Sequence, residues 1–183
     1  GPTKKFIDIM IDASPTGEIE VKPNVVTKTM YRGNWKQIGM DGYHPHYVHV
    51  SVFKIFSKRE STTGSAVGAI HLEDPFSDSS PSLTRGFPNG HAALDFRFQR
   101  LPHAKDNISE LQKSEDGRKY VEDMIERYGK EHAEELIAWH GDPHLGVFPN
   151  LQLIHDHIRV VIPISPSETQ VLMYPVFLKG VGQ

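Results

Sequence analysis

GVFPNLQLIHDHIRVVIPISPSETQVLMYPVFLKG, Gly146 to Gly180, is the stretch on which the reading of the fold turns. Three runs rich in β-branched and aromatic residues follow one another here: Val147 to Ile154, His157 to Ile164, and Gln170 to Leu178. Ser165, Pro166, Ser167 and Glu168 form a turn between the last two. His155, Asp156 and His157 look like zinc ligands at first sight, but their place between two strand runs reads better as a hairpin corner. A strand-rich tail with no helix inside it argues for a mainly antiparallel sheet.

Working outward, the clearest helix spans about Ser114 to Tyr128, with Tyr120, Val121, Met124, Ile125 and Tyr128 at helical spacing and Gly129 as a natural stop. A second helical stretch, Lys130 to Trp139, ends at Gly141, and its EHAEE run reads as an exposed face. Ser57 to Pro88 holds most of the loop chemistry, in SKRESTTGS and DPFSDSSPS, with strands expected near Ala66 to His71 and His91 to Phe98. The first forty residues alternate in a strand-like way through Ile19, Val21, Val25, Val26, Thr27 and Thr29, broken by Pro15, Gly17 and Pro23. A strand from about Val25 to Lys36 would deliver the chain to a short helix beginning at Asp41, followed by a less regular segment to Phe56. No internal repeat is visible, and the order of elements predicts an α+β fold.

Composition narrows the classes. At 183 residues, with 38% apolar and 23% charged, the chain is the size of one domain with a real core. A net charge of −3 without a basic block offers no footprint for a phosphate backbone, so no nucleic-acid partner is expected. The absence of cysteine excludes disulfides, thiolate zinc sites and any cluster held by this chain's own thiolates. No run reaches the roughly 20 apolar residues of a spanning helix, and no start resembles a signal peptide, so a cytoplasmic location with no membrane association is expected. Gly1 and Pro2 read as the scar of a removed tag, from which a fragment of a longer natural chain is expected.

The chemistry concentrates in DGYHPHYVH, Asp41 to His49. Two imidazoles, His44 and His49, suit a borderline metal such as ferrous iron or zinc. On an ideal helix they would stand about 140° apart, too far round for one ion, so local widening is needed. Pro45 lies between them and removes a helical donor, and a π-type turn would bring the pair together. Asp41, about 60° from His44 on that surface, could orient an imidazole. In a chain with 11 histidines the spacing by itself is weak evidence. His46 points to nearly the opposite helix face from His44, and His140, Asp142 and His144 read as a solvated loop.

The order of neighbouring motifs adds weight. GNWK (Gly33 to Lys36), then DGYHPHYVH, then NGH (Asn89 to His91), then the Gly146 to Gly180 stretch resembles the catalytic domain of the large subunit of Rieske non-haem iron oxygenases, the aromatic ring-hydroxylating dioxygenases. The likeness covers roughly Val25 to Gly180. It implies a helix-grip (START-like) domain, in which a long curved antiparallel sheet and helices enclose an apolar pocket. It also implies a mononuclear Fe(II) bound by His44 and His49, with Asp41 as the carboxylate that bridges to a cluster histidine of the neighbouring subunit. Gly42 and Pro45 would lie near the substrate, with Asn89 and His91 as further pocket candidates; the plain alternative for NGH is a tight turn into a strand.

Two departures stand out. Only Gln37, Ile38, Gly39 and Met40 separate the GNWK lysine from Asp41, fewer residues than the family usually has. The family's iron carboxylate lies well beyond the segment matching FLKG, so the third ligand is expected past Gln183. Residues 1–183 are therefore read as a single, partial catalytic domain, without the Rieske domain and its 2Fe–2S cluster and without the C-terminal part. For the full-length protein the resemblance implies an aromatic substrate, dioxygen, a reductase or ferredoxin as electron donor, a possible small (beta) subunit and a trimer of large subunits. The product would be a hydroxylated aromatic, and the isolated fragment is expected to be inactive. A second reading is a non-catalytic apolar-ligand binder; a zinc hydrolase lacks a coherent nucleophile.

Overall fold

The longest strands form where the tail of the sequence predicts them. The computed structural model describes residues 1–38, 83–95, 101–139, 144–154 and 156–181. Strands β7 (His157–Ser165) and β8 (Glu168–Leu178) make a hairpin, with a register irregularity between Pro163 and Ser165. On one side of it lie β6 (Leu151–Ile154), β5 (Leu145–Val147), β4 (Ala92–Asp95) and β3 (Leu83–Gly86), each antiparallel to the next. On the other side, β8 pairs through its first half with β2 (Thr27–Tyr31) and through its last residues with β1 (Ile19–Val21).

Because side chains alternate across a strand, the register sorts residues into rows on opposite faces. Ala93, Leu145, Leu153, Ile158 and Tyr174 form one row. Ala92, Gly146, Gln152, Arg159, Met173 and Thr27 form the adjacent row on the other face. Helix α1 (Pro2–Asp12) and helix α4 (Lys130–Trp139) cover the first: Phe6, Met10 and Trp139 pack with Ala93, Leu145, Leu153 and Val176 in one buried cluster. Phe6 meets the Trp139 ring edge-on, with centroids 6.3 Å apart.

A second cluster holds the helices to one another. Val121 and Met124 of α3 (Glu115–Tyr128) pack with Ala133, Leu136 and Ile137 of α4, flanked by Ile108 and Leu111 of α2 (Ala104–Leu111). Helix α3 begins at Ser114, whose hydroxyl accepts the Gly117 N–H at 3.0 Å, a standard N-cap. It ends at Gly129, where φ is 77°, a conformation that costs glycine little. The Tyr120 hydroxyl donates to the Ala13 carbonyl at 2.9 Å and Tyr128 to that of Ser14 at 3.2 Å, tying α3 to the chain leaving α1. Burial, with the nearby Tyr128 hydroxyl as a lesser cause, pushes the Tyr120 phenol up to about 12.

Several expectations need correction. The chain opens with a helix, not with strand-like alternation: Phe6 and Met10 at i, i+4 give α1 an apolar stripe, and Pro2 sits at its start, where the missing N–H is harmless. The strand expected over Val25 to Lys36 is only β2, because the chain bends at Arg32 and Gly33 into a 3-10 turn, Trp35–Ile38. Val147 to Ile154 is not one strand; the chain reverses at Phe148, Pro149 and Asn150 between β5 and β6. Helix α2 is a further element: Ala104, Ile108 and Leu111 keep a helical spacing, but over only eight residues, too short a stretch to stand out from the loop-like sequence around it. EHAEE is mostly solvent-facing, but Ala133 within it is fully buried. The segments expected at Asp41 to Phe56 and Ala66 to His71 lie outside the described residues.

Candidate metal and substrate site

The approach to the histidine motif is held from several sides. Asn34 accepts the Lys36 N–H with its side-chain oxygen at 3.1 Å and donates through its amide to the Pro166 carbonyl at 3.1 Å. Thr169, fully buried, donates its hydroxyl to the Gly33 carbonyl at 2.9 Å. At the other end of the Trp35–Ile38 turn, the Gln152 amide donates to the Ile38 carbonyl. The Trp35 ring lies against Phe148, with centroids 5.9 Å apart.

Phe148 in turn meets NGH. Its backbone N–H donates to Nδ1 of His91 at 3.0 Å. An imidazole nitrogen that accepts cannot carry a proton, so neutral His91 bears its hydrogen on Nε2. Gly90 sits so close that a Cβ there would come 3.1 Å from Phe148 Cγ, and its φ of 79° suits glycine. Thus GNWK, NGH and GVFPN, scattered along the chain, meet in space through Trp35, Gly90, His91 and Phe148.

Of the predicted site residues, Asn89 and His91 are described. Asn89 adopts φ 65° and ψ 22° within the Pro88–Gly90 turn, a left-handed conformation that asparagine tolerates, and the chain then enters β4. This is the tight turn into a strand. Asp41, Gly42, His44, Pro45 and His49 lie outside the described residues. Among the described residues no group of three or more His, Cys, Asp or Glu side chains could hold a metal ion. Asp156 and His157 occupy the expected hairpin corner; His157 contacts the Asp156 carboxylate at 2.9 Å and accepts from Arg159 Nε at 2.8 Å.

The described cavities lie elsewhere. One of about 310 Å³ opens between α3 and the end of β8, lined by Tyr120, Ile137 and Leu178; another of about 340 Å³ lies between α1 and α4. Neither is lined by a predicted site residue. Buried polar side chains, Asp95 and Gln152 among them, carry little signal in the sequence. Asp95 is fully buried and takes the Arg85 Nε at 2.6 Å. Gln152 is 1% exposed. A polar residue inside the apolar run LQLI was the signal for the latter.

Comparison with known proteins extends this geometry. The chain is 27% identical over 191 residues to the anthranilate 1,2-dioxygenase large subunit of Acinetobacter baylyi, covering 98% of this chain and 38% of that one. It is 30% identical over 182 residues to the 2-halobenzoate 1,2-dioxygenase large subunit of Burkholderia cepacia, covering 95% and 35%. The toluate 1,2-dioxygenase subunit alpha of Pseudomonas putida matches at 26% identity over 98% of this chain and 37% of that one. The chain is a homologue of ring-hydroxylating dioxygenase large subunits.

It spans little more than a third of the length of these relatives. No family model matches it. Naphthalene 1,2-dioxygenase with indole bound in the active site superposes over 100% of this chain and 41% of that one, with a TM-score of 0.56 at 18% identity. A variant of that enzyme bound to phenanthrene gives 0.54 at 19% identity, over 99% and 40%. The α+β architecture, an open antiparallel sheet with helices in the manner of the helix-grip fold, is thus similar to that of naphthalene 1,2-dioxygenase. Among the described residues no helix is long and apolar enough to cross a membrane.

Proposed function

We propose that this chain is the iron-bearing catalytic part of a terminal oxygenase that hydroxylates an aromatic ring, His44 and His49 being the metal imidazoles. The observation that carries the reading is the meeting of GNWK, NGH and GVFPN at Trp35, His91 and Phe148, directly before the histidine motif, in a homologue of ring-hydroxylating dioxygenase large subunits. The donor chemistry suits the metal: two imidazoles without any thiolate fit ferrous iron, and a carboxylate from the remainder of the large subunit would complete the set. Bound there, iron would supply activation of dioxygen. Asp41 would link one of these imidazoles to the Rieske cluster of a neighbouring subunit, which a reductase or ferredoxin reduces.

The substrate class follows from the relatives' names. Anthranilate, 2-halobenzoate and toluate are all aromatic carboxylates, and we assign this chain the same class. His91, with Nδ1 engaged by Phe148, has only its Nε2–H to offer an anionic group; Asn89, Gly42 and Pro45 complete the proposed substrate contacts. The full-length protein would work in the cytoplasm as a trimer of large subunits, with or without a small one.

Anaerobic ferrous-iron titration of the full-length protein and its His44→Ala and His49→Ala variants tests the metal assignment. Tight one-to-one iron in wild type alone supports it; equal binding by both variants sinks it. Substrate-dependent oxygen uptake with benzoate but not naphthalene would support the carboxylate assignment. The reverse preference would remove it.

A further inference from the structure

Gln152 is one of the buried polar groups that the proposed chemistry does not use. It stands in the row Ala92, Gly146, Gln152, Arg159 on the sheet face turned away from α1 and α4, and it is 1% exposed. Its Nε2 donates to the Ile38 carbonyl, while its Oε1 is buried with no donor among the described residues. The other buried polar side chains are better matched: Ser14 bonds the Lys179 carbonyl, Asp95 takes Arg85, and Thr169 bonds Gly33. An amide half-satisfied in the interior costs stability that an apolar residue of the same length would not. Among the described residues the bond that the Gln152 amide makes has a specific recipient.

That recipient is the last residue of the Trp35–Ile38 turn. The turn is tied just before its start by Thr169 to Gly33 and Asn34 to Pro166, at its first residue by Trp35 against Phe148, and at its last by Gln152. Asp41 follows Ile38 by three residues, within about 11 Å along even a fully extended chain. Ile38 is thus the described residue from which the chain leaves toward Asp41.

We propose that Gln152 is a positioning residue for the metal segment, fixing from the sheet the carbonyl at which the chain departs toward Asp41, His44 and His49. The proposal rests on the assignment of those histidines to the metal. Its test uses cobalt(II) as the probe, because the visible spectrum of bound cobalt reports ligand geometry as well as affinity. In the full-length protein, Gln152→Met is expected to weaken cobalt binding about tenfold, as loss of a supporting contact around a metal site does, and to shift the cobalt bands. Tyr120→Phe, which removes a buried hydrogen bond at the helix layer, is the control: it should lower the thermal midpoint yet leave cobalt affinity and spectrum unchanged. Wild-type affinity and spectrum in Gln152→Met, or equal weakening in Tyr120→Phe, would overturn the proposal. If Gln152→Met does not fold, Gln152→Asn, whose shorter amide falls short of Ile38, supplies the same comparison. Cobalt binding undiminished in His44→Ala and His49→Ala marks a different failure, that of the metal assignment itself.

Discussion

The two faces of the sheet lie back to back and are held by different chemistry. Behind the row through Ala93, Leu145 and Leu153, apolar side chains of α1 and α4 make a dry core in which Phe6, Met10 and Trp139 do the packing. The row through Ala92, Gly146, Gln152 and Arg159 carries an alanine, a glycine, an amide and a guanidinium instead, and Gln152 reaches the Trp35–Ile38 turn by a hydrogen bond. The first face is built for burial, which is non-directional and sums over area. The second fixes the position of particular backbone atoms, which only directional bonds can do. The second face buries apolar residues as well, Leu94, Val161 and Val171 among them, so it contributes to stability in addition to holding the Trp35–Ile38 turn.

The largest expected effect falls on the packed face. Trp139→Ala, at 3% exposure and edge-on to Phe6, should cost about 3–5 kcal/mol in denaturant unfolding, the range for emptying a large aromatic from a core. A loss below about 1 kcal/mol would mean that the helices do not rely on this contact.

Next in size is an alkaline effect at the helix layer. Folding raises the Tyr120 phenol from 10.0 to about 12, so its contribution is fully present below pH 10. Between pH 10 and about 12 the unfolded chain releases this proton and the folded chain does not, and stability falls as pH rises. The loss amounts to about 2–3 kcal/mol. Unfolding curves of wild type and Tyr120→Phe across that window should therefore converge as pH rises; parallel curves would refute the assignment.

The smallest effect belongs to the polar face. Thr169→Val keeps the shape but leaves the Gly33 carbonyl without its donor, for a loss of about 1 kcal/mol. Its informative readout is local: amide exchange at Lys36 and Gln37 should quicken more than exchange in α3. Uniform acceleration across both would erase the distinction between the faces.

How much of this was legible in the sequence differs between the faces for the same reason. The β6, β7 and β8 runs and helices α3 and α4 could be read because burial writes a period into the chain, two for strands and 3.6 for helices. The NGH turn and the hairpin corner at Asp156 were legible through turn chemistry. Helix α1 was missed because Ile19, Val21 and the β-formers beyond set the reading of the whole N-terminal segment, although Phe6 and Met10 carry a helical spacing of their own. The bend at Phe148 was missed because an apolar run looks continuous until a partner strand fixes the register.

The sequence by itself determined the α+β class, the antiparallel meander, the paired helices and the ordered motifs by which the chain is akin to dioxygenase large subunits. Those properties are local, or repeat along the chain. Only the tertiary structure decided that Trp35, His91 and Phe148 meet, and that Gln152 spends its amide on Ile38. It also decided that Gly117 is required inside α3, where helix propensity would prefer alanine: a Cβ there would come 1.9 Å from the Leu111 carbonyl oxygen. Each of these depends on which distant segment arrives alongside, and no period in the chain records that.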